Sequence, residues 1–228
     1  MTTGATSLER TRRSLHAVAE HVLGAALHAA TGHIGLRAAP GGFATPSFPG
    51  PHGTRQVRVD GIDLVVDDAG RERRAPLTTV GAAAAMVGIG PGAPADVYTP
   101  ATPLEPDRPL DLDAGAALRI ADVFATVDVA LARLVASVPS APGDDAALTQ
   151  LWPEHFDLAV TLDEVNYGGS PGDDEHPLPY LYVGPWSPPA DGDAFWNEPF
   201  GASSTAGTDI DPEAALAFFT EGRRRLAR

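Results

Sequence analysis

LWPEHFDLAVTLDEVNYGGSPGDDEHPLPYLYVGPW, residues 151–186, sets two histidines, seven carboxylates, two tryptophans and three tyrosines around a Gly-Gly-Ser-Pro-Gly turn. HFDLAVTLDEV is rich in strand formers and reads as a strand. NYGGSPGDDEHP reads as a loop, because glycine, proline and acidic residues favour turns and offer little to bury. LPYLYVGPW alternates about Tyr180 and Tyr182 with a period of two, which marks a half-buried strand. FWNEPFGA follows as a short extended piece. A helix over residues 211–226 closes the segment, with Asp211 as cap, Pro212 at its first position and Arg223 to Arg225 at its C-terminal end.

The same alternation of helix and strand precedes this segment. Leu15, Val18, Ala19, Val22, Leu23, Ala26 and Leu27 recur at helical spacing, so residues 7–30 form an amphipathic helix stopped at Thr31-Gly32. His21 and His28 fall on its polar side and are expected in solvent. HIGLRAAPGGFATPSF reads as a strand, a turn at Pro40-Gly41-Gly42 and an extended piece. RQVRVDGIDLVVDDAGRERRAPL reads as two strands, broken near Asp60-Gly61 or at Asp67-Asp68-Ala69-Gly70. A short helix over 78–87 is capped by Thr78 or Thr79. Residues 90–112 hold six prolines and form an extended strap. A second amphipathic helix begins after Asp113, with Ile120, Val123, Phe124, Val127, Leu131, Leu134 and Val135 on its apolar face. The expected fold is therefore α+β. Residues 8–228 form one domain of two pseudo-similar helix–strand–strand–helix halves, about 8–89 and 113–228, with mainly antiparallel sheet, packed helices and the strap between them.

Composition excludes whole classes of chemistry. All 16 basic residues are arginine, so no Schiff-base lysine, phosphate-loop lysine or Ser–Lys dyad exists. With no cysteine there is no thiol nucleophile, Cys-ligated metal or disulfide. The net charge of −14 repels phosphate backbones and anionic lipid, so neither nucleic acid nor membrane is an expected partner. The N-terminus lacks the apolar core of a signal peptide, and the longest apolar-rich stretch, residues 80–89, is broken by glycine. A soluble cytoplasmic protein is expected. GGSPG is not a nucleophile elbow, because Pro171 removes the amide such a site uses after its serine. VGIGPGAPAD follows a helix and leads into the strap, so it is not a dinucleotide-binding turn.

Three groups of residues remain as candidates. His155 and Asp157 would share one face of a strand, with Glu154 on the other, and a histidine beside a carboxylate suits acid–base work or metal ligation. The acidic loop adds Asp173, Asp174, Glu175 and His176, yet no established metal-ligand spacing occurs. His16 and Glu20, four apart on the first helix, could orient an imidazole as a base. Nine of the 15 aromatics lie between Trp152 and Phe200. Trp152, Tyr167, Tyr180, Tyr182, Trp186 and Trp196, with His176, would line a pocket for a small organic ligand.

The motifs Leu15-His16, Trp152-Pro153…Phe156-Asp157-Leu158-Ala159, Ser170-Pro171-Gly172, residues 179–183 and Phe195-Trp196 resemble, in order, those of an uncharacterised actinobacterial family. The resemblance covers most of the chain from Ser14 onward. It implies a shared fold and supplies no reaction. The leading expectation is a small-molecule-binding protein. As an enzyme it would use His155, Asp157, His16 and Glu20 in acid–base or metal-assisted chemistry, with the cofactor unknown. The competing expectation is a non-catalytic interaction or self-association module built on the C-terminal aromatic segment.

Overall fold

The structure is a computed structural model and describes residues 6–138, 147–189, 193–205 and 210–227. The chain divides into two compact units. The first comprises Met1–Asp122 with Leu151–Phe156, and the second Val123–Gln150 with Asp157–Arg228. Each combines helix with antiparallel sheet, so the fold class is α+β.

In the first unit, α1 (Ser7–Val18) starts at Thr6, whose side chain accepts the Glu9 amide at 3.2 Å. It runs into a π-helical segment, Ala19–Gly24, and resumes as α2 (Ala25–Thr31). Gly32 ends α2 at φ 77°, a left-handed cap that glycine adopts without steric cost. The π turn adds residues to the helical repeat, so the register of the apolar stripe shifts. Every residue from Ala19 to Gly24 is consequently buried. His21, expected in solvent from a regular 3.6-residue wheel, is 1% exposed.

Six strands follow: β1 (Arg37–Ala39), β2 (Gly42–Ala44), β3 (Phe48–Gly50), β4 (Gly53–Asp60), β5 (Asp63–Asp68) and β6 (Arg71–Pro76). Their order is β1-β2-β4-β5-β6, and β3 also pairs with β4. β2 and β3 are thus two pieces laid along one long neighbour. Thr45 bridges the break: its amide donates to Val57 O at 2.9 Å and its hydroxyl accepts the Val57 amide at 3.1 Å. Both turns between Arg55 and Leu77 are real hairpins, so this stretch forms three strands where two were expected. At the second, Ala69 (φ 54°) and Gly70 (φ 86°) take the left-handed pair of a tight hairpin, and Asp67 Oδ1 accepts the Gly70 amide at 2.7 Å. α3 (Val80–Val87) starts at Thr79, which accepts the Ala82 amide at 3.0 Å. Leu15, Val18, Val22, Leu23, Phe43, Val57, Val59 and Leu64 are buried in this unit. Each such side chain is worth about 1.5–3 kcal/mol of burial.

α4 (Ala114–Ser137) crosses the division at Asp122. The segment 151–156 joins the first unit through Leu151, whose amide and carbonyl exchange bonds of 2.9 and 2.8 Å with Leu36. β7 (Gln150–Trp152) is therefore short, and a turn over residues 153–156 ends it.

In the second unit, β8 (Asp157–Leu162), β9 (Val165–Ser170), β10 (Tyr180–Pro185) and β11 (Ala202–Thr205) lie in the order β11-β10-β9-β8. β9 occupies the stretch expected to be a loop. Its two glycines serve close packing on opposite faces. A Cβ on Gly168 would lie 2.6 Å from the Tyr182 ring and 2.7 Å from Leu158 O, and one on Gly169 would lie 2.6 Å from Val127 of α4. α5 (Pro212–Leu226) is capped by Asp211, as expected, and buries Phe219 edge-on against Tyr167. Replacing Gly168 by alanine lowers stability by about 1–3 kcal/mol through overpacking, although a strand glycine would ordinarily gain from a Cβ. Urea unfolding tests this, and an unchanged or raised midpoint would refute the close approach.

Candidate functional site

The π segment presents two polar side chains to the core, and the proline-rich strap closes over them. Glu20 is 0% exposed. Its carboxylate accepts the Ala101 amide at 2.8 Å, the Thr102 amide at 2.9 Å and the Thr102 hydroxyl. His21 Nδ1 accepts the Ala93 amide at 3.0 Å, so its proton sits on Nε2, which faces Thr102 O and Oγ1 at 3.1 Å each. The Gly92 amide adds a bond to the backbone carbonyl of His21 at 3.1 Å. Both His21 nitrogens are thereby committed to holding the strap. So is Glu20, whose buried charge is tolerated because three donors meet it.

His16 sits one turn before Glu20. Its Nε2 lies 2.8 Å from Pro153 O, an acceptor only, so Nε2 carries the proton and Nδ1 the lone pair. Glu20 Oε2 stands 3.8 Å behind the same nitrogen. The ring stacks on Phe156 with centroids 5.2 Å apart and planes 12° from parallel. Phe156 meets Phe43 edge-on at 5.4 Å and holds φ at 53°, a strained value for a residue with a bulky side chain. Burial lowers the His16 pKa, with further lowering from Arg12 and His155. Glu20 and the Pro153 carbonyl oppose this in part. The bond to Pro153 O fixes Nε2 as the ring's donor.

Tyr98 and Glu154 stand near Glu20. Tyr98 lies in the strap between the two points at which the π segment holds it, and Glu154 lies in the turn that carries Pro153 and Phe156. The Tyr98 hydroxyl and Glu154 Oε2 are both buried and neither has a hydrogen-bond partner among the described residues. Burial, then the nearby Glu20 and Glu154 charges, push the Tyr98 phenol well above its ordinary range.

The second unit gathers a different set on one sheet face. Tyr180 Oη donates to Asp173 Oδ2 at 2.6 Å, and Tyr182 Oη donates to Asp157 across the notch left by Gly168. His176 leans on Tyr180 at 4.7 Å, and its Nε2 meets Glu198 Oε1 at 3.0 Å, where Ser203 Oγ also donates at 2.7 Å. The Glu198 bond, with Asp173 and Glu175 nearby and against some desolvation, raises the His176 pKa. The imidazolium therefore contributes stability that is complete below its unfolded value of about 6.5 and is lost as pH rises through the raised folded value. The stability gap between the wild type and His176→Gln should close as pH is raised above neutrality. A gap that widens would overturn the ion pairs.

The expected six-aromatic pocket does not assemble. Only Tyr180, Tyr182 and His176 come together, joined by Phe200, whose ring stands 6.4 Å from that of Tyr182. Tyr167 is 0% exposed and pairs with Val183, so it points to the opposite face, toward α5. Trp196 packs edge-on against Phe195, which contacts Phe218 of α5. Trp186 is 64% exposed. The expected strand face shared by His155 and Asp157 is absent too. The turn before β8 breaks the strand and leaves His155 exposed, in the first unit, while Asp157 opens β8 in the second. His16 and Glu20 do meet as expected.

Other features offer less. A shallow groove of about 200 Å³ is lined mainly by apolar residues such as Ala26, Phe48 and Ile89. Its one charged group, Arg55, is engaged by Asp68 and Val87 O. Among the described residues, no three His, Asp or Glu side chains converge as a metal site, and no helix is long and apolar enough to cross a membrane. No protein family, curated protein or solved structure matches the chain.

Proposed function

We propose that this protein binds a small polar molecule at the π-segment cluster and uses His16 Nδ1 as the acid–base group toward it. The observation that carries this reading is the pair of buried, unpartnered polar atoms, Tyr98 Oη in the strap that the π segment holds and Glu154 Oε2 in the turn that His16 holds. Buried polar atoms are nearly always paired, and an exception is completed by water, an ion or a ligand, stores strain, or serves a reaction. Perturbed titratable groups and π turns concentrate at functional sites as well. Glu20 supports the role of His16, because a carboxylate 3.8 Å from Nε2 stabilises the imidazolium formed when Nδ1 takes a proton. Tyr98 supplies a hydroxyl that can donate or accept, and Glu154 supplies an acceptor.

Imidazole NMR tests the base. His16 is expected as the Nε2–H tautomer with a midpoint below the ordinary 6.5. An Nδ1–H tautomer, or a midpoint at or above that value, would remove His16 from the role. Chemical-shift mapping with a library of small polar fragments tests the site. Hits should converge on His16, Tyr98 and Glu154; hits that cluster elsewhere, or no hits, would overturn the reading.

A second reading, that the chain associates through its aromatic segment, draws on the exposure of Trp186 at 64%. Sedimentation over a range of concentrations separates the two, because only this reading requires association that Trp186→Ser weakens.

A further inference from the structure

The chemistry of the unpaired groups narrows what the cluster can hold. Glu154 Oε2 is an acceptor. The Tyr98 hydroxyl serves in either direction. A partner that satisfies both must bring at least one donor, to Glu154.

The charges point the same way. Glu20 and Glu154 place two carboxylates around the cluster. The donors that meet Glu20 are two neutral amides and a hydroxyl, which stabilise its charge without cancelling it. Glu154 is in no ion pair among the described residues. Arg12, one turn before His16 and 4% exposed, is the cation that acts on His16, and it has partners of its own. His155 is exposed at the rim. The cluster therefore holds an excess of buried negative charge. A carboxylate or phosphate entering it would face like charge in a poorly solvated place, at a cost that exceeds any bond it could accept from Tyr98. A cationic nitrogen carries only donors, and its bonds to a carboxylate are of the strong, charge-assisted kind.

We infer that the ligand presents a cationic nitrogen, a primary ammonium or an amidinium, whose N–H groups bond Glu154 Oε2 and Tyr98 Oη. This inference rests on the site proposed above. It makes Glu154 and Tyr98 the residues that select the ligand and Glu20 a positioning residue behind His16.

Acetamidinium, acetamide and acetate share one shape and carry charges of plus one, zero and minus one. Each is titrated into the full-length protein, with the signals of His16, Tyr98 and the 153–156 turn followed by NMR. Acetamidinium is expected to shift these signals and to bind at least tenfold more tightly than either isostere. Glu154→Gln keeps the size of the side chain and should weaken acetamidinium tenfold or more. Tyr98→Phe should weaken it too, while leaving stability equal or higher, because the lost hydroxyl had no partner to lose. If acetamide or acetate binds there as tightly, or Glu154→Gln changes nothing, the cationic class is overturned and the site stands. If none of the three moves these signals, the inference fails. If polar fragments also leave them unmoved, the site falls with it.

Discussion

Glu20→Ala should cost about 3–5 kcal/mol, the largest loss expected of any single polar replacement in the chain. The carboxylate is 0% exposed and takes the Ala101 amide, the Thr102 amide and the Thr102 hydroxyl. Alanine leaves all three donors buried without an acceptor, opens space in the core and removes the charge that faces His16. The strap should detach before the sheet unfolds, because its remaining ties to the π segment run through His21. Urea unfolding measures the loss, and limited proteolysis within residues 90–112 reports the detachment. A loss below about 1 kcal/mol, as for an exposed carboxylate, would mean that the strap is held by something else.

Arg55→Leu is expected to lose nearly as much, about 3–5 kcal/mol. Arg55 forks onto Asp68 with bonds of 2.5 and 3.0 Å, and the two side chains are only 12% and 9% exposed. Its third bond, 2.7 Å to Val87 O, ties β4 to the C-terminal end of α3, where a cation suits the helix dipole. Leucine strands a buried carboxylate, with Arg73 at 3.3 Å to share it. Arg73 places the loss toward the lower end. The double variant Arg55→Leu, Asp68→Leu should recover much of it, because the cost lies in the unpaired charge. The Arg55 bond, and then its charge, lower the Asp68 pKa despite burial. That contribution is present above the unfolded value of about 3.9 and is lost as pH falls through the lowered folded value. The gap between the wild type and Arg55→Leu should therefore narrow in acid. A gap that stays constant with pH would show that Asp68 is not the group left behind.

Much of the fold was legible because the helices follow simple rules. Apolar spacing, Thr79, Asp211 and Gly32 placed their faces and ends. The strands were harder. Asp163 and Glu164 form the turn between β8 and β9 with φ of 50° and 62°, and neither residue announces a left-handed hairpin. The two glycines of β9 looked like loop residues because their purpose, admitting Tyr182 and Val127, lies in neighbours distant in sequence. The candidate site was half legible. The i,i+4 rule found His16 and Glu20, but the π turn that buries them, and turns His21 inward, has no local spacing to betray it. Tyr98 lay in a proline-rich stretch that composition marks as mere connection, and Glu154 in a turn that reads as strand. What brings them together is a bond from Leu36 to Leu151 and the hold of two helix residues on the strap.

That hold also orders the events of folding. The bonds from Ala93 to His21 and from Thr102 to Glu20 close loops of 72 and 82 residues, whereas the hairpins of the first sheet close over a few. Long loops lose more chain entropy before any contact repays it, so the hairpins have every advantage in forming first. The strap therefore docks after the hairpins, and the turn over residues 153–156, whose bond between His16 and Pro153 closes 137 residues, docks later still. Until both do, the first unit has a sheet without the proposed site, and binding of the kind proposed would return after refolding at the rate of the slowest loop rather than of the core.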